Sequence, residues 1–237
     1  MILPDLTRQD RDAVERMDAP HCDLTALERT YAHFRTVNAV VAGWRPTYRR
    51  HLRPVLRRDR VTTVLDIGSG GGDLPRALAR WAGRDGYRVQ ITAVDPDPRA
   101  HGWATAQPRV EGITFRRAFS HDLVAEGRTF DVVISNHLLH HLDDAGRQAL
   151  LADSERLARQ RVVHSDIARS RWAYSFFAVG TWPFFRGSFI REDGLTSIRR
   201  SYTAEELAAA VPSGWRVERR RPWRLLLIHE PGRAGAE

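Results

Sequence analysis

The sequence has no lysine, a single cysteine and no long apolar run. Because Cys22 stands alone, the chain can form neither an intrachain disulfide nor a thiolate metal site. No segment approaches the ~20 apolar residues of a membrane-spanning helix, and the first residues lack the basic and apolar regions of a signal peptide. We therefore expect a cytoplasmic protein without a membrane partner.

The positive charge comes from arginine alone. The formal net charge of +8 raises the question of a nucleic-acid partner. The arginine clusters are scattered along the chain, however, and lack the regular aromatic interleaving of a platform that binds single strands. The pattern favours solvated faces, so we expect a small-molecule substrate and no nucleic acid.

The middle of the chain alternates short β-branched runs with helical stretches. At 237 residues, 42% of them hydrophobic, the chain suffices for one domain with an elaboration. The alternation is typical of βαβ units around a parallel sheet. The predicted strands are 61–65, 89–94, 113–115, 130–134 and 161–164.

Three further segments lie outside this alternation. Residues 25–41 have the spacing of an amphipathic helix and belong to a predicted N-terminal helical cap, 1–60, before a core at 61–237. Residues 167–202 are rich in aromatic side chains, which predicts a helical insertion that either thickens the core or forms a lid over a hydrophobic substrate. The last apolar runs, around 215–228, predict a hairpin, so the sheet should end with an antiparallel pair.

A glycine-rich turn follows the first strand of this region. Asp66 ends the strand, Gly68, Gly70 and their neighbours form the turn, and Asp73 begins the next helix. A turn without side chains lets a ligand approach the backbone. A dinucleotide-binding turn would need glycine where Asp73 stands, and Asp66 would repel a pyrophosphate. The turn therefore suits a ligand with an ammonium group.

Asp95 ends the next strand. A carboxylate at this position can accept hydrogen bonds from both ribose hydroxyls of an adenosine held over the first turn. It can also simply cap the helix that starts near Pro96. The sequence leaves both roles open.

These residues resemble motifs of the class I S-adenosylmethionine (SAM) dependent methyltransferases. The stretch 66–72 is similar to the first motif of that family, Asp95-Pro96 to the second, and 130–142 to the motif of the fourth strand. The resemblance implies a Rossmann-like, doubly wound α/β fold with a seven-stranded sheet, mostly parallel with an antiparallel last strand. It also implies SAM as the cofactor.

The resemblance assigns further cofactor contacts. It places Gly68 and Gly70 under the methionine part of SAM and Asn136 near the sulfonium. Ser69 and Pro96 accompany them within the two motifs. The stretch 119–121 departs from the usual adenine-binding pair of the family, so Ser120 or His121 is the predicted adenine contact there.

Three histidines follow the fourth strand. His137, His140 and His141 match no metal-ligand pattern that we can justify, so we expect no metal. Imidazole titrates near neutral pH, which makes His140, and after it His137, the predicted catalytic base. Packing or backbone hydrogen bonding is the alternative for these side chains.

Three residues are predicted to contact the acceptor, and the sequence suggests its class. Tyr31 and Arg35 on the N-terminal helix can orient it, and Asp166 ends the fifth strand at the edge where ligands collect in open α/β sheets. With the aromatic segment they suggest an aromatic or polyketide-like secondary metabolite, methylated on oxygen. The chain thus resembles the quinone and natural-product branch, methyltransferase type 11/25-like.

Two other functions fit the same fold class. One is a catalytically inactive SAM-binding partner protein, and the other is an NAD(P)-dependent oxidoreductase, which Asp66 and Asp73 disfavour. A homodimer is possible under each of these hypotheses.

Overall fold

A seven-stranded sheet forms the centre of the molecule within residues 4–232, the part of the chain that the computed structural model describes. The strands are β1 (Thr62–Ile67), β2 (Val89–Val94), β3 (Ile113–Arg116), β4 (Phe130–Asn136), β5 (Ala158–Ile167), β6 (Trp215–Arg220) and β7 (Arg224–His229). Their order across the sheet is β3-β2-β1-β4-β5-β7-β6.

The sheet is parallel except at β7. Strands β1 to β5 pair in parallel, whereas β7 runs antiparallel to both β5 and β6. This arrangement confirms the predicted fold class and the predicted terminal hairpin. In β4, Val133 packs into the core on one face of the sheet, and Val132 and Ile134 pack into the core on the other. Such burial on both faces explains why the strand is an almost continuous apolar run.

Nine α-helices accompany the sheet within the described residues. They are α1 (Leu24–Val41), α2 (Trp44–Thr47), α3 (Asp73–Arg84), α4 (Pro98–Ala106), α5 (Ser120–Ala125), α6 (Asp144–Leu157), α7 (Arg171–Gly180), α8 (Ile190–Arg200) and α9 (Ala204–Ala210). Helix α1 begins after Asp23, whose carboxylate accepts hydrogen bonds from the backbone N–H groups of Thr25 and Ala26. The helix predicted at 25–41 is therefore present. None of the helices between residues 4 and 232 has the length and apolar content needed to cross a membrane.

The residues before β1 share the core of the sheet. Trp44, Tyr48 and Leu52 are buried in the same cluster as Val64 of β1 and Leu74 of α3. The predicted cap at 1–60 is therefore attached to the main fold through apolar packing.

The aromatic segment forms a pair of helices, α7 and α8. A methyl group at Gly194 of α8 would overlap the ring of Phe177 of α7, so the helices approach closely at this glycine. Trp172, Phe176 and Val179 of α7 are exposed. The predicted helical pair is present, and its function as a lid stays a prediction.

A buried carboxylate ties the start of β4 to the neighbouring strands. Asp131 accepts hydrogen bonds from both terminal nitrogens of Arg60 (3.1 and 3.0 Å), from the backbone N–H of Thr63 (2.8 Å) and from Gln160 (3.0 Å). Burial opposes ionisation, but these bonds hold the pKa of Asp131 well below its usual range. The carboxylate therefore stays charged in the folded protein.

Asp131→Asn should destabilise the protein by about 2 kcal/mol at neutral pH, because charge-assisted hydrogen bonds to a buried group are lost. Because the pKa of Asp131 is lower in the folded than in the unfolded protein, its ionised carboxylate stabilises the fold at pH values above the unfolded pKa. This stabilisation is lost as the pH falls towards the folded pKa. The difference between variant and wild type should therefore narrow below about pH 4. Urea titrations of both proteins across this range measure it, and a difference independent of pH would contradict it.

Candidate functional site

A cavity of about 800 Å³ opens at the carboxyl ends of β1, β2 and β4. One wall is the glycine-rich turn after β1. Another consists of α1 and the turn that precedes it, and a third is formed by α7 and α8. Ligands of open α/β sheets collect at this edge.

The glycine turn needs backbone angles that favour glycine. Gly68 and Gly70 have φ values of +68° and +52°. The N–H groups of Gly68 and Ser69 donate to the carbonyl of Val94 on β2 (2.9 and 3.0 Å), which anchors the turn to the sheet. An added Cβ at Gly70 would meet no atom within 4 Å and would occupy open space. The turn therefore presents bare backbone to the cavity.

Asp95 organises the same turn from the end of β2. One carboxylate oxygen accepts from the N–H of Gly70 at 2.8 Å, and the other accepts from the N–H of Asp97 at 2.9 Å. Helix α4 begins at Pro98, and the side chain of Asp97 caps it. The alternative role of Asp95 as the cap of this helix is therefore wrong. Asp95 and Pro96 both line the cavity, as the cofactor hypothesis requires.

Asp66 is a buried carboxylate without a partner. It is 1% exposed, and neither of its oxygens has a hydrogen-bond partner. Burial, with the nearby charges of Asp73 and Asp95, raises the pKa of Asp66 well above its usual range. Asp73 differs because Asn38 of α1 donates a hydrogen bond to it at 2.9 Å. An orphaned carboxylate at the cavity wall fits a cationic ligand such as the ammonium group of SAM.

Arg224 of β7 lines the cavity and holds Asn136 and His137, the predicted cofactor contact and one of the predicted bases. Its guanidinium donates to Oδ1 of Asn136 (2.9 Å), to Oγ of Ser165 (2.6 Å) and to Nε2 of His137 (2.9 Å). Burial and the charge of Arg224 hold the pKa of His137 well below its usual range. His137 has φ +55°, a strained backbone that is common at functional sites. Asn136 and His137 both line the cavity.

His140 lies between two carboxylates. Its Nδ1 lies 2.7 Å from Oδ1 of Asp166, and its Nε2 lies 3.2 Å from Oε1 of Glu15. Only the first contact has hydrogen-bonding geometry, so the buried Nε2 has no hydrogen-bond partner. Burial opposes protonation, but Asp166 and Glu15 raise the pKa of His140 to about 10. The imidazole is therefore charged at neutral pH.

His141 has a parallel pair of contacts. Its Nδ1 lies 3.0 Å from Oδ2 of Asp18, and its Nε2 lies 3.7 Å from Oε2 of Glu15. Glu15 and Asp18 precede α1, more than 120 positions away from the histidines along the chain. No sequence pattern links them, so sequence reasoning missed both. Only the folded chain brings them together.

Asp166 has a different position from the one predicted. It was expected to contact the acceptor, but it is buried beneath His140 and does not line the cavity. Its oxygens accept from the ring and the backbone N–H of His140 and from the N–H of Ile167 (2.7, 3.0 and 2.7 Å). The prediction is wrong because β5 continues to Ile167, which lines the cavity, so Asp166 lies one residue below the end of the strand. Asp166 instead positions His140.

The predicted adenine contacts also lie outside the cavity. The hydroxyl of Ser120 donates to Asp153 of α6 at 2.6 Å, which turns it away from the cofactor side. The side chain of His121 is 66% exposed and stacks on Phe119. Neither residue lines the cavity, and this correction leaves the adenine contact without an assigned side chain.

The predicted acceptor contacts on α1 have different outcomes. Tyr31 is buried, lines the cavity and packs against Phe34 and Trp103. Burial and the charges of Asp97 and Asp95 raise the pKa of its phenol, which therefore stays protonated. Arg35 also lies on α1, but its side chain falls outside the described part of the chain.

The chain is similar to known methyltransferases, most clearly in its middle part. Residues 64–161 match a family model described as a methyltransferase domain. Two ubiquinone biosynthesis O-methyltransferases are similar over a longer range. The one from Methylobacterium sp. (strain 4-46) is 29% identical over 154 residues, 64% of this chain and 58% of its own length. The one from Methylocella silvestris is 33% identical over 149 residues, 58% of this chain and 56% of its own length. The chain thus spans less than two thirds of these relatives.

Solved structures support the fold. Human N-acetylserotonin methyltransferase in complex with SAM is 14% identical, with a TM-score of 0.56 over 84% of this chain and 54% of the other. A plantazolicin methyltransferase in complex with a triazolic desmethylPZN analog and SAH is 11% identical, with a TM-score of 0.54 over 87% and 96%. At these identities the likeness concerns the fold alone. Residues 64–161, which contain the glycine turn with Asp66 and Asp95, are thus similar to a methyltransferase domain, and the order of the seven strands agrees with this match.

Proposed function

We propose that this protein transfers the methyl group of SAM to a hydroxyl oxygen of a small aromatic or polyketide-like acceptor, a secondary metabolite. One observation carries the proposal. The unpartnered carboxylate of Asp66, the bare glycine turn and Asp95 share one cavity with the aromatic side chains of α1, α7 and α8. Its volume of about 800 Å³ falls within the range of small-molecule sites, about 300–1,000 Å³.

The glycine-turn side of the cavity would hold the cofactor. SAM supplies an electrophilic methyl group on a sulfonium. Asp66 would pair with its ammonium group, Asp95 would accept from the ribose hydroxyls, and Gly68 and Gly70 would let its methionine part lie close to the backbone. Asn136, fixed by Arg224, would line the methyl-donor end.

The opposite side would hold the acceptor. Phe34, Phe176, Phe177 and Phe185 line the cavity there, together with Tyr31. Apolar walls of this kind exclude water and orient a flat ring, and positioning supplies much of the rate of a displacement at a sulfonium. The names of the two curated relatives, both O-methyltransferases of ubiquinone biosynthesis, support oxygen as the acceptor atom.

The base roles predicted for His140 and His137 stay predictions, and the contacts limit both. Arg224 donates to Nε2 of His137, so the neutral ring carries its proton on Nδ1. His137 can therefore offer a hydrogen-bond donor to the cavity. His140 is charged between Asp166 and Glu15, so it would have to release a proton before it could accept one from the acceptor.

Gly194→Ala should change acceptor binding and leave cofactor binding unchanged. The added methyl group would displace the ring of Phe177, which lines the acceptor side and lies away from the glycine turn. We expect KM for the acceptor to change by about 10-fold, which corresponds to about 1.4 kcal/mol. Steady-state kinetics and SAM titration on the same preparation measure both effects. An altered SAM affinity with an unchanged KM would contradict the assignment of the two sides.

Calorimetric titration with SAM, with its demethylated product and with NADH tests the proposed function. Binding of the first two and not of NADH is expected. Mass spectrometry should then find a methylated product in a panel of hydroxylated aromatic compounds incubated with SAM. Preference for NADH would favour an oxidoreductase, and SAM binding without a product from any acceptor would favour a catalytically inactive SAM-binding protein.

A further inference from the structure

We propose that Glu15, His140 and His141 bind a divalent transition-metal ion of the Zn²⁺ type at the acceptor side of the cavity. All three residues line the cavity, and one ligand atom from each lies within 4.8 Å of the other two. Two imidazoles with one carboxylate form a known donor set for such ions, in which one coordination position remains open. We expected no metal from the spacing of the histidines, and Glu15 lies far from them along the chain.

The distances fit the size of such an ion. Nε2 of His140 lies 3.2 Å from Oε1 of Glu15, and Nε2 of His141 lies 3.7 Å from Oε2. Nitrogen and oxygen ligands at 2.0–2.2 Å from a tetrahedral ion are separated by about 3.3 Å from one another. Small side-chain shifts would therefore be enough to enclose the ion.

Both histidines have the orientation that metal-bound histidines usually have. Nδ1 of His140 faces Asp166 at 2.7 Å, and Nδ1 of His141 faces Asp18 at 3.0 Å. A carboxylate that accepts the Nδ1 proton holds the ring in place, and a metal ion that binds Nε2 of the charged His140 would displace the proton of that nitrogen to solvent. In both rings it is Nε2 that faces Glu15. The same pattern at two neighbouring histidines is the strongest argument for the site.

A protonated His140 that bridges two carboxylates is the alternative explanation. Such a bridge should form a well-aligned hydrogen bond at each end, but the 3.2 Å contact of the buried Nε2 of His140 with Oε1 of Glu15 lacks hydrogen-bonding geometry. An unsatisfied buried polar atom is costly. A metal ion would satisfy this nitrogen, Glu15 and His141 together, which the proton cannot do.

The surroundings hold the three ligands and supply negative charge. The hydroxyl of Ser197 donates to Oε1 of Glu15 at 2.8 Å. The guanidinium of Arg200 donates to the backbone carbonyls of His140 (3.1 Å) and His141 (3.3 Å) and so fixes the turn that carries them. With Asp18 and Asp166, the cluster contains three carboxylates around two imidazoles, and the charges of Arg200 and of protonated His140 offset two of them. A divalent cation that replaces the His140 proton would neutralise the cluster.

The open position of the ion would face the cavity and bind the acceptor. A hydroxyl oxygen on a divalent metal loses its proton at a much lower pH than it does in water. The metal would therefore select acceptors with an ionisable hydroxyl and hold this oxygen in place. Only this last step rests on the proposed function, whereas metal binding itself requires neither SAM nor an acceptor.

Metal binding to the purified full chain tests the site directly. After removal of metal with a chelator, the protein is titrated with Co²⁺ and its visible absorption is recorded, and Zn²⁺ affinity is measured by competition. We expect one Co²⁺ per chain with a spectrum of nitrogen and oxygen ligation. Glu15→Gln and His141→Gln should weaken binding by at least about 100-fold, and Asp18→Asn, which acts through His141, by about 10-fold.

His21→Gln and Glu28→Gln are the matched controls, because both side chains are exposed and lie outside the cavity. They should bind Co²⁺ as the wild type does. SAM titration of every variant shows whether its fold and cofactor site are intact. A wild type that takes up no stoichiometric metal, or a Glu15→Gln variant with unchanged affinity, would overturn the site. A wild-type protein that binds the metal but does not bind SAM would instead count against the proposed function alone.

Discussion

Asp66→Asn should weaken SAM binding by about 10- to 100-fold and at the same time raise the melting temperature of the ligand-free protein. The carboxylate is buried without a hydrogen-bond partner and lies near Asp73 and Asp95. Its charge is thus costly until a cation binds to it. The amide has nearly the same shape and carries no charge, so the variant loses the ligand and gains stability.

The stability effect should depend on pH. Burial raises the pKa of Asp66, and the charges of Asp73 and Asp95 raise it further. The contribution of such a group is fully present below the unfolded pKa of about 3.9 and is lost as the pH rises through the folded pKa. Asparagine does not ionise, so the variant does not lose this stability as the pH rises. Its advantage in melting temperature should therefore be larger at about pH 8 than at about pH 5.

Scanning calorimetry at the two pH values and SAM titration measure the two effects. Asp143→Asn is a suitable control, since this carboxylate caps α6 away from the cavity and accepts from the N–H of Gly146 at 2.7 Å. The control should leave SAM affinity unchanged. A less stable Asp66→Asn protein at about pH 8 would show that the carboxylate has a partner in solution.

Asp95→Ala should reduce SAM affinity by at least about 100-fold, because the two charge-assisted hydrogen bonds that we propose between Asp95 and the ribose would be lost. The variant also removes the acceptor for the N–H of Gly70, and with it a bond that holds the glycine turn in place. Both effects act in the same direction. Calorimetric titration with SAM and with its demethylated product measures the loss.

Asp143→Ala is the matched control for this variant. It removes a carboxylate that caps α6 and should cost about 1 kcal/mol of stability while SAM affinity stays unchanged. Comparison of the two proteins separates a general loss of stability from a loss of the ligand contact. An Asp95→Ala protein that binds SAM as tightly as the wild type would remove the ribose contact from the proposed site.

Local features of the sequence were enough to predict the fold and the glycine turn at the carboxyl end of β1. The strands β1, β2 and β4 are apolar runs bounded by turns, and the glycine turn between β1 and α3 is contiguous in sequence. Its chemistry can therefore be read from neighbouring residues such as Asp66 and Gly70. Asp95 follows the next strand, and parallel pairing of β1 with β2 brings it to the same edge.

The acceptor side could not be predicted in the same way. Glu15 and Asp18 meet His140 and His141 only because the turn before α1 packs against α8, where Asp193 accepts hydrogen bonds from the N–H groups of Arg16 and Met17 at 2.7 and 3.0 Å. No local pattern encodes such a contact. Asp166 was misplaced for a related reason, since the depth at which a strand ends depends on its register in the sheet and not on its composition.

The cavity has an evolutionary consequence, because its two sides come from different parts of the chain. The residues that would hold the cofactor lie between 66 and 136, within the methyltransferase domain at 64–161. Most of the proposed acceptor wall comes from residues before 39 and after 166, whereas His140 and His141 lie within that domain. A lineage that exchanges the flanking segments would therefore change most of the acceptor wall and keep the donor side. Shared ancestry of an acceptor should accordingly be traced through the flanking segments, since similarity over 64–161 reports mainly the donor side.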